Sequence, residues 1–141
     1  MKTRWSWKQI DVRPGAFDRA TAQFEAGLFE VALESNPEDL ELLLALGSAY
    51  SRLGDARKSL EVDLRLVNAR PDEPIFHYNL ACSYSLVGEL DSAFASLRDA
   101  IKLGYTDLQH LTMDRDLDNL RRDRRFREIV AELEPHFENE A

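Results

Sequence analysis

A sequence pattern recurs at a fixed interval of 34 residues along the middle of the chain. The matching pairs are Tyr50 and Tyr84, Leu46 and Leu80, Gly54 and Gly88, Asp55 and Glu89, Ser59 and Ala93, and Pro37 and Pro71. Because one unit of this length cannot bury its apolar face alone, neighbouring units must stack into a continuous core. The period therefore predicts a stack of paired helices, which is usually a surface for holding another protein.

Each unit is predicted to contain two helices joined by a short turn. Apolar residues recur every three or four positions in 40–53 and 55–69, which places them on one face of each helix. They are Leu43, Leu46, Tyr50 and Leu53 in the first run, and Leu60, Leu64 and Val67 in the second. Gly54 is suited to end a helix and Asp55 to cap the next one. Gly88 and Glu89 repeat this turn, and Pro71 to Pro74 separate the two hairpins.

These residues resemble the tetratricopeptide repeat (TPR) family. The first copy matches the family pattern in Leu46-Gly47-Ser48-Ala49-Tyr50, Gly54-Asp55, Ser59 and Pro71; the second matches it in Leu80-Ala81-Cys82-Ser83-Tyr84, Gly88-Glu89, Ala93, Leu97 and Ala100. The chain departs from the pattern at Leu43, His77, Asp63 and Tyr105. The resemblance implies an all-α fold, a short right-handed α-solenoid of stacked antiparallel helix pairs with a helical C-terminal cap.

A partial copy of the repeat precedes the two full ones. Leu33, Val67 and Ile101 are 34 residues apart in series, so residues 17–36 are predicted to be the second helix of a half repeat whose first helix is missing or degraded. Gly27 lies inside this helix and costs it stability. The predicted apolar stripe consists of Phe17, Ala20, Phe24, Leu28 and Ala32.

The C-terminal part of the chain departs from the period. Its pattern Leu111-x-x-Asp114-x-x-Leu117-Asp118-x-Leu120-Arg121-x-Asp123-x-x-Phe126 resembles the end-of-group module that closes many bacterial TPR arrays, with Asn119 and Arg124 where that family often has proline. A terminal unit needs a polar outer face because nothing stacks on it. The predicted single domain contains an irregular segment 1–16, the half repeat 17–36, repeats 40–73 and 74–107, and capping helices 108–141.

The resemblance implies a non-catalytic interaction module, an adaptor or scaffold that holds a peptide or partner helix in a concave groove lined by the first helix of each hairpin. The family's groove positions correspond to Glu41, Leu44, Ala45, Ser48 and Arg52 in one hairpin and to Ile75, Tyr78, Asn79, Cys82 and Leu86 in the next. The apolar members favour an apolar or amphipathic ligand. Only Arg52 and Asn79 suit a terminal carboxylate, which disfavours a receptor for chaperone tails.

Two other classes of function stay open. A self-associating scaffold would stack its N-terminal edge on a second copy as a homodimer, without a foreign ligand. A small enzyme finds little support, because the sequence has no glycine-rich phosphate loop, zinc-binding helix motif or cysteine pair, and His77, His110 and His136 lack a ligand spacing. Cys82 is expected to be a small apolar residue. No cofactor and no metal are expected.

The distribution of charge indicates which classes of partner the protein could bind. A formal net charge of -8 argues against nucleic-acid binding, which needs a basic surface. One segment is basic nonetheless, with Arg121, Arg122, Arg124, Arg125 and Arg127. These arginines form either a patch for an acidic partner or a solvated face paired with nearby acids, namely Asp116, Asp118, Asp123 and Glu128.

The remaining predictions concern location and the N-terminal segment. No apolar run is long enough for a signal peptide or a membrane span, so a cytoplasmic protein without membrane partners is expected. Trp5 and Trp7 are large apolar residues in a polar segment. They are predicted to cover the open N-terminal edge of their own chain or, alternatively, to insert into the groove of a second copy.

Overall fold

The structure, a computed structural model, describes residues 16–138 and the side chains of residues 18–135. This part of the chain contains helices and no strand. The helices are α1 (Ala16–Ser35), α2 (Leu40–Leu53), α3 (Ala56–Ala69), α4 (Pro74–Val87), α5 (Leu90–Lys102), α6 (Leu108–Met113), a 3-10 helix (Arg115–Leu120) and α7 (Arg124–Glu138). Trp5, Trp7, and the side chains of Phe17 and His136 lie outside the described residues.

The turns within the hairpins have the predicted chemistry. Gly54 ends α2 with φ 68° and Gly88 ends α4 with φ 83°, both in the left-handed region. The Asp55 side chain caps α3 by accepting a hydrogen bond from the backbone N–H of Lys58 at 3.1 Å. Pro74 occupies the first turn of α4, where its missing N–H costs nothing. The two glycine turns, the Asp55 cap and the start at Pro74 are thus confirmed, whereas Glu89 precedes α5 without a side-chain capping hydrogen bond.

Consecutive helices pack on one another from α1 to α5. An added Cβ at Gly47 would lie 3.3 Å from Val62 Cγ1, so the small residue permits the close approach of α2 and α3. Helix α4 is central, since Phe76 belongs to the core formed with α1 to α3, whereas Tyr78 belongs to the core formed with α5 to α7. The architecture is a TPR-like helical solenoid, which confirms the predicted fold class.

The predicted apolar stripe of α1 is wrong. The residues packed towards α2 are Ala22, Ala26 and Leu33, whereas Phe24 and Leu28 are exposed. Both sets recur at helical spacing, so periodicity alone does not choose between them. The alanines allow α1 and α2 to approach closely, and the larger side chains consequently face outward.

The predicted buried faces of the later helices also need correction. In α3 the buried positions are Val62, Asp63 and Leu66, whereas Leu64 is exposed. This helix packs between α2 and α4, so its buried face is centred between two neighbours. The period of 34 residues gives Tyr50 and Tyr84 the same place in the repeat and so predicts equal burial. Tyr50 is buried and its hydroxyl donates to Glu30 at 2.7 Å, but Tyr84 is only partly buried.

We expect opposite effects from alanine at two glycines. Gly88→Ala should destabilise the protein by about 1–2 kcal/mol, because a Cβ is strained at positive φ. Gly27→Ala should stabilise it by about 0.5–1 kcal/mol, because Gly27 lies within α1 and an added Cβ has no neighbour within 4 Å. Urea unfolding of both variants measures the two shifts. A stabilising Gly88→Ala would contradict the left-handed turn.

None of the described helices is both long and apolar enough to cross a membrane.

Candidate interaction surface

Helices α2 and α4 are the first helices of the two hairpins and carry the predicted groove positions. The structure divides these residues into three groups by exposure. Glu41, Leu44, Arg52, Ile75 and Leu86 are exposed; Ala45, Ser48 and Asn79 are partly buried; Tyr78 and Cys82 are buried. We call Glu41, Leu44, Ser48, Ile75, Asn79 and Leu86 the open first-helix face. The predicted groove positions are therefore exposed over only part of α2 and α4.

Tyr78 does not lie in an open groove, contrary to expectation. Its side chain is only 2% exposed and its ring stacks on Tyr105, with centroids 4.3 Å apart and planes 15° apart. Its hydroxyl donates to the Asp114 carboxylate at 2.8 Å. Leu44 occupies the equivalent position one repeat earlier and remains exposed. The segment after α5 thus covers Tyr78 on this face of α4.

Asp114 connects this segment to α4. One of its carboxylate oxygens accepts from the Tyr78 hydroxyl and, at 3.7 Å, from the Cys82 thiol, while His110 Nε2 lies 3.3 Å from the same oxygen. The other oxygen accepts from the backbone N–H of Asp116 at 3.0 Å and so caps the 3-10 helix. One side chain therefore both starts the 3-10 helix and attaches it to the second repeat.

The environment of Cys82 disfavours both catalysis and ligation. Burial raises the pKa of the thiol, and the nearby carboxylates of Asp114 and Asp116 raise it further. Burial and neighbouring Asp114 and Asp118 also raise the pKa of Asp116. Cys82, Asp114 and Asp116 have potential metal-ligand atoms within 4.8 Å of one another, the one such group among the described residues. A protonated thiol is neither a good nucleophile nor a good metal ligand, and its hydrogen bond to Asp114 gives the cluster a structural role.

The 3-10 helix has further contacts with α4. Asn119 Nδ2 donates to the backbone carbonyl of Ser85 at 2.8 Å, and Leu117 and Leu120 are fully buried. Sequence reasoning assigned no site role to Tyr105, Asp114 or Asn119. The sequence does mark two of these residues, because each stands where the pattern it resembles often has proline. Tyr105 does so in the tetratricopeptide repeat, and Asn119 in the end-of-group module.

The arginine-rich segment is partly engaged within the chain. Arg121 pairs with Asp118 at 2.8 Å and donates to the backbone carbonyls of Thr112 and Asp114. Arg124 pairs with Glu128 at 2.7 Å. Arg122, Arg124 and Arg127 are exposed. The acidic-partner patch remains a prediction that rests on the exposed members.

Arg125 is held by contacts with other side chains of the protein. Its guanidinium lies over the Phe94 ring, 4.3 Å from the centroid, and pairs with Asp91 at 2.7 Å and Asp123 at 2.8 Å. Hydrogen bonds from Arg125 lower the pKa of Asp123 to about 2. Arg125 therefore joins the start of α7 to α5.

Arg52 is likewise engaged, although it was expected to line the groove. Its guanidinium pairs with Glu25 of α1. The pair links α2 to α1 at the N-terminal side of the stack. A ligand carboxylate would have to compete with Glu25 for this arginine.

A buried polar pair lies between the two repeats. Asp63 of α3 is buried and accepts a hydrogen bond from the Ser83 hydroxyl of α4 at 2.5 Å. Burial raises the pKa of Asp63 to about 6, although the hydrogen bond from Ser83 acts in the opposite direction. No ion pair of Asp63 is present among the described side chains. The carboxylate is therefore a costly charge in the fold above that pH.

Comparisons with known proteins agree with the repeat. Residues 76–103 match the family model for the tetratricopeptide repeat, so the predicted repeat is confirmed over α4 and α5. The chain is also similar to a chloroplastic protein of Arabidopsis thaliana, with 28% identity over 98 residues that cover 67% of this chain and 29% of that protein. The chain thus spans less than a third of this relative's length. The end-of-group module remains a prediction.

Proposed function

We propose that the protein is a non-catalytic interaction module that holds an extended peptide or a partner helix on the open first-helix face. Tetratricopeptide repeats generally mediate contacts between proteins, and residues 76–103 are such a repeat. The observation that carries the proposal is the exposure of three apolar side chains on α2 and α4: Leu44, Ile75 and Leu86 are each 44–48% exposed. They supply the apolar anchors that a bound helix or peptide needs.

The geometry of α4 sets a minimum length for the ligand. Ile75 and Leu86 are eleven residues apart on one helix, which corresponds to about 16 Å along its axis. An extended peptide of about five residues spans this distance, as does a helix of about three turns. A ligand that contacts both residues is therefore at least a short linear segment.

Charge favours a ligand with basic residues beside its apolar anchors. Glu41 is exposed on the open first-helix face, and the formal net charge of the chain is -8. Arg52, the basic residue among the predicted groove positions, is already paired with Glu25. Electrostatic complementarity should speed the association of a basic ligand, and added salt should weaken this effect.

The cytoplasmic location stays a prediction. The name of the relative places that protein in the chloroplast.

We expect Leu44→Glu combined with Leu86→Glu to abolish capture of the partner from a lysate of the source cells. With the captured partner purified, Kd should rise by at least about 30-fold, the factor expected for the loss of a binding hot spot. Both side chains are about half exposed, so the far-UV circular dichroism should be unchanged. The measurement is a titration of the wild type and the variant with the same partner.

The matched control is Leu64→Glu, which places the same charge at an exposed leucine on α3, the second helix of its hairpin. It should bind as the wild type does. Equal affinity of all three proteins would place the partner on another surface. Native mass spectrometry tests the alternative. If the wild type is a dimer and the variant with both Leu44→Glu and Leu86→Glu is a monomer, the self-associating scaffold is favoured instead.

A further inference from the structure

Helix α1 is apolar on two opposite sides. Ala22, Ala26 and Leu33 face α2 and are buried. Phe24, Leu28 and Val31 lie on the other side, at four- and three-residue intervals, and are 72%, 54% and 62% exposed. We call these last three residues the α1 outer stripe. An exposed apolar patch of this kind on a monomer is often a contact surface, so we ask what covers the α1 outer stripe.

We propose that residues 1–13 of the same chain cover the α1 outer stripe, with Trp5 and Trp7 as the contacting side chains. This segment lies outside the described residues, and its sequence supplies the apolar groups. Each tryptophan buries about 150–250 Å² when covered. In an extended segment Trp5 and Trp7 point to the same side, because side chains alternate along extended backbone.

The chain is long enough for this contact. Phe24 lies eight residues after the start of α1, about 12 Å along the helix axis, and Val31 lies about 22 Å along it. Trp7 precedes Ala16 by nine residues, which can span about 30 Å when extended. Pro14-Gly15, between the segment and α1, is a turn-forming dipeptide that lets the chain double back.

The charges of the two elements are complementary. Residues 1–13 contain four basic residues and one acidic residue, a net charge of +3, whereas α1 contains four acidic residues and one basic residue, a net charge of -3. The basic residues are Lys2, Arg4, Lys8 and Arg13, and the acidic ones in α1 are Asp18, Glu25, Glu30 and Glu34. Glu25 already pairs with Arg52 and Glu30 accepts a hydrogen bond from Tyr50, so the attraction rests on Asp18 and Glu34. Attraction between them supports the apolar contact.

The size of the stripe favours a short segment over a second copy. Three side chains offer a few hundred Å² of apolar surface, the scale of a patch on an ordinary monomer. A stable interface between two proteins buries roughly 800 Å² on each partner. A segment joined directly to α1 also avoids the loss of translational and rotational freedom that a separate molecule incurs on binding.

Tryptophan fluorescence of the full chain tests the proposal, because Trp5 and Trp7 are its two tryptophans. We expect the emission of the native protein to be blue-shifted relative to the urea-unfolded protein. Phe24→Ser combined with Leu28→Ser should shift it back towards the unfolded value while the helical circular dichroism is retained. Met113→Ser is the matched control, since Met113 is an equally exposed apolar residue on α6, and it should leave the emission unchanged.

A double-mutant cycle tests the contact itself. Trp5→Ser combined with Trp7→Ser should lower Tm by about 4–8 °C in the wild-type background and much less when Phe24 and Leu28 are already serine. Native emission like that of the unfolded protein, or an emission unaffected by the stripe substitutions, would overturn the proposal. A concentration-dependent blue shift together with a dimer in native mass spectrometry would also overturn it, in favour of a second copy. These readouts need no ligand and are independent of the proposed function.

Discussion

Replacing Tyr78 with alanine is expected to lower the free energy of unfolding by about 3–5 kcal/mol, the range for deleting a large buried aromatic side chain. The substitution removes the stack on Tyr105 and the hydrogen bond to Asp114, and so loosens the C-terminal segment from α4. Urea denaturation followed by circular dichroism measures the loss.

Two tyrosine variants calibrate this result. Tyr78→Phe keeps the ring and removes only the donor to Asp114, so it should cost about 1–1.5 kcal/mol. Tyr84→Ala should cost clearly less than Tyr78→Ala, because Tyr84 is only partly buried although it holds the repeat position of Tyr50. If Tyr78→Ala unfolded within about 1 kcal/mol of the wild type, Tyr78 would lie on an open surface as the family pattern suggests.

Asp63→Asn is expected to stabilise the protein at neutral pH by up to about 3 kcal/mol, since the carboxyl pKa rises from 3.8 to about 6 on folding and each unit corresponds to about 1.4 kcal/mol. Asparagine is neutral and its amide oxygen can still accept the hydrogen bond from Ser83. The gain comes from removing a buried charge.

The stability difference between Asp63→Asn and the wild type should depend on pH. Below the unfolded pKa of 3.8 both states carry the proton, so the shift has no effect on stability. Between about pH 4 and 6 Asp63 binds more protons in the native state than in the unfolded state, so the contribution of Asp63 to stability falls as the pH rises. The advantage of Asp63→Asn should therefore grow over this window and level off above it.

Unfolding at a series of pH values compares the wild type with Asp63→Asn. Asp72→Asn is the matched control, because Asp72 is exposed in the turn before α4 and its substitution should give a small difference at every pH. A pH-independent difference for Asp63→Asn would show that Asp63 ionises alike in both states.

Local chemistry made part of the fold predictable. The left-handed turns at Gly54 and Gly88, the cap by Asp55 and the helix start at Pro74 depend on backbone preferences of single residues, which a sequence displays directly. The 34-residue period likewise predicted the stacking of hairpins, because equal units present equal faces to one another.

The choice between two apolar faces of one helix was not predictable in this way. Ala22 and Ala26 recur with the same helical spacing as Phe24 and Leu28, and hydrophobicity alone favours the larger pair. The buried face of α1 is the one with small side chains, because close approach to α2 excludes the larger ones.

The candidate site, too, was predictable from the sequence only in part. The sequence determined that Leu44 and Tyr78 occupy equivalent places on α2 and α4, since residues one period apart share a position in the repeat. Only the tertiary structure decided that Leu44 remains exposed while Tyr78 is buried. Tyr78 meets Tyr105 at the end of the second repeat and Asp114 beyond it, which lie 27 and 36 residues further along the chain. Such contacts depend on the path of the backbone between the partners, and a periodic pattern carries no record of that path.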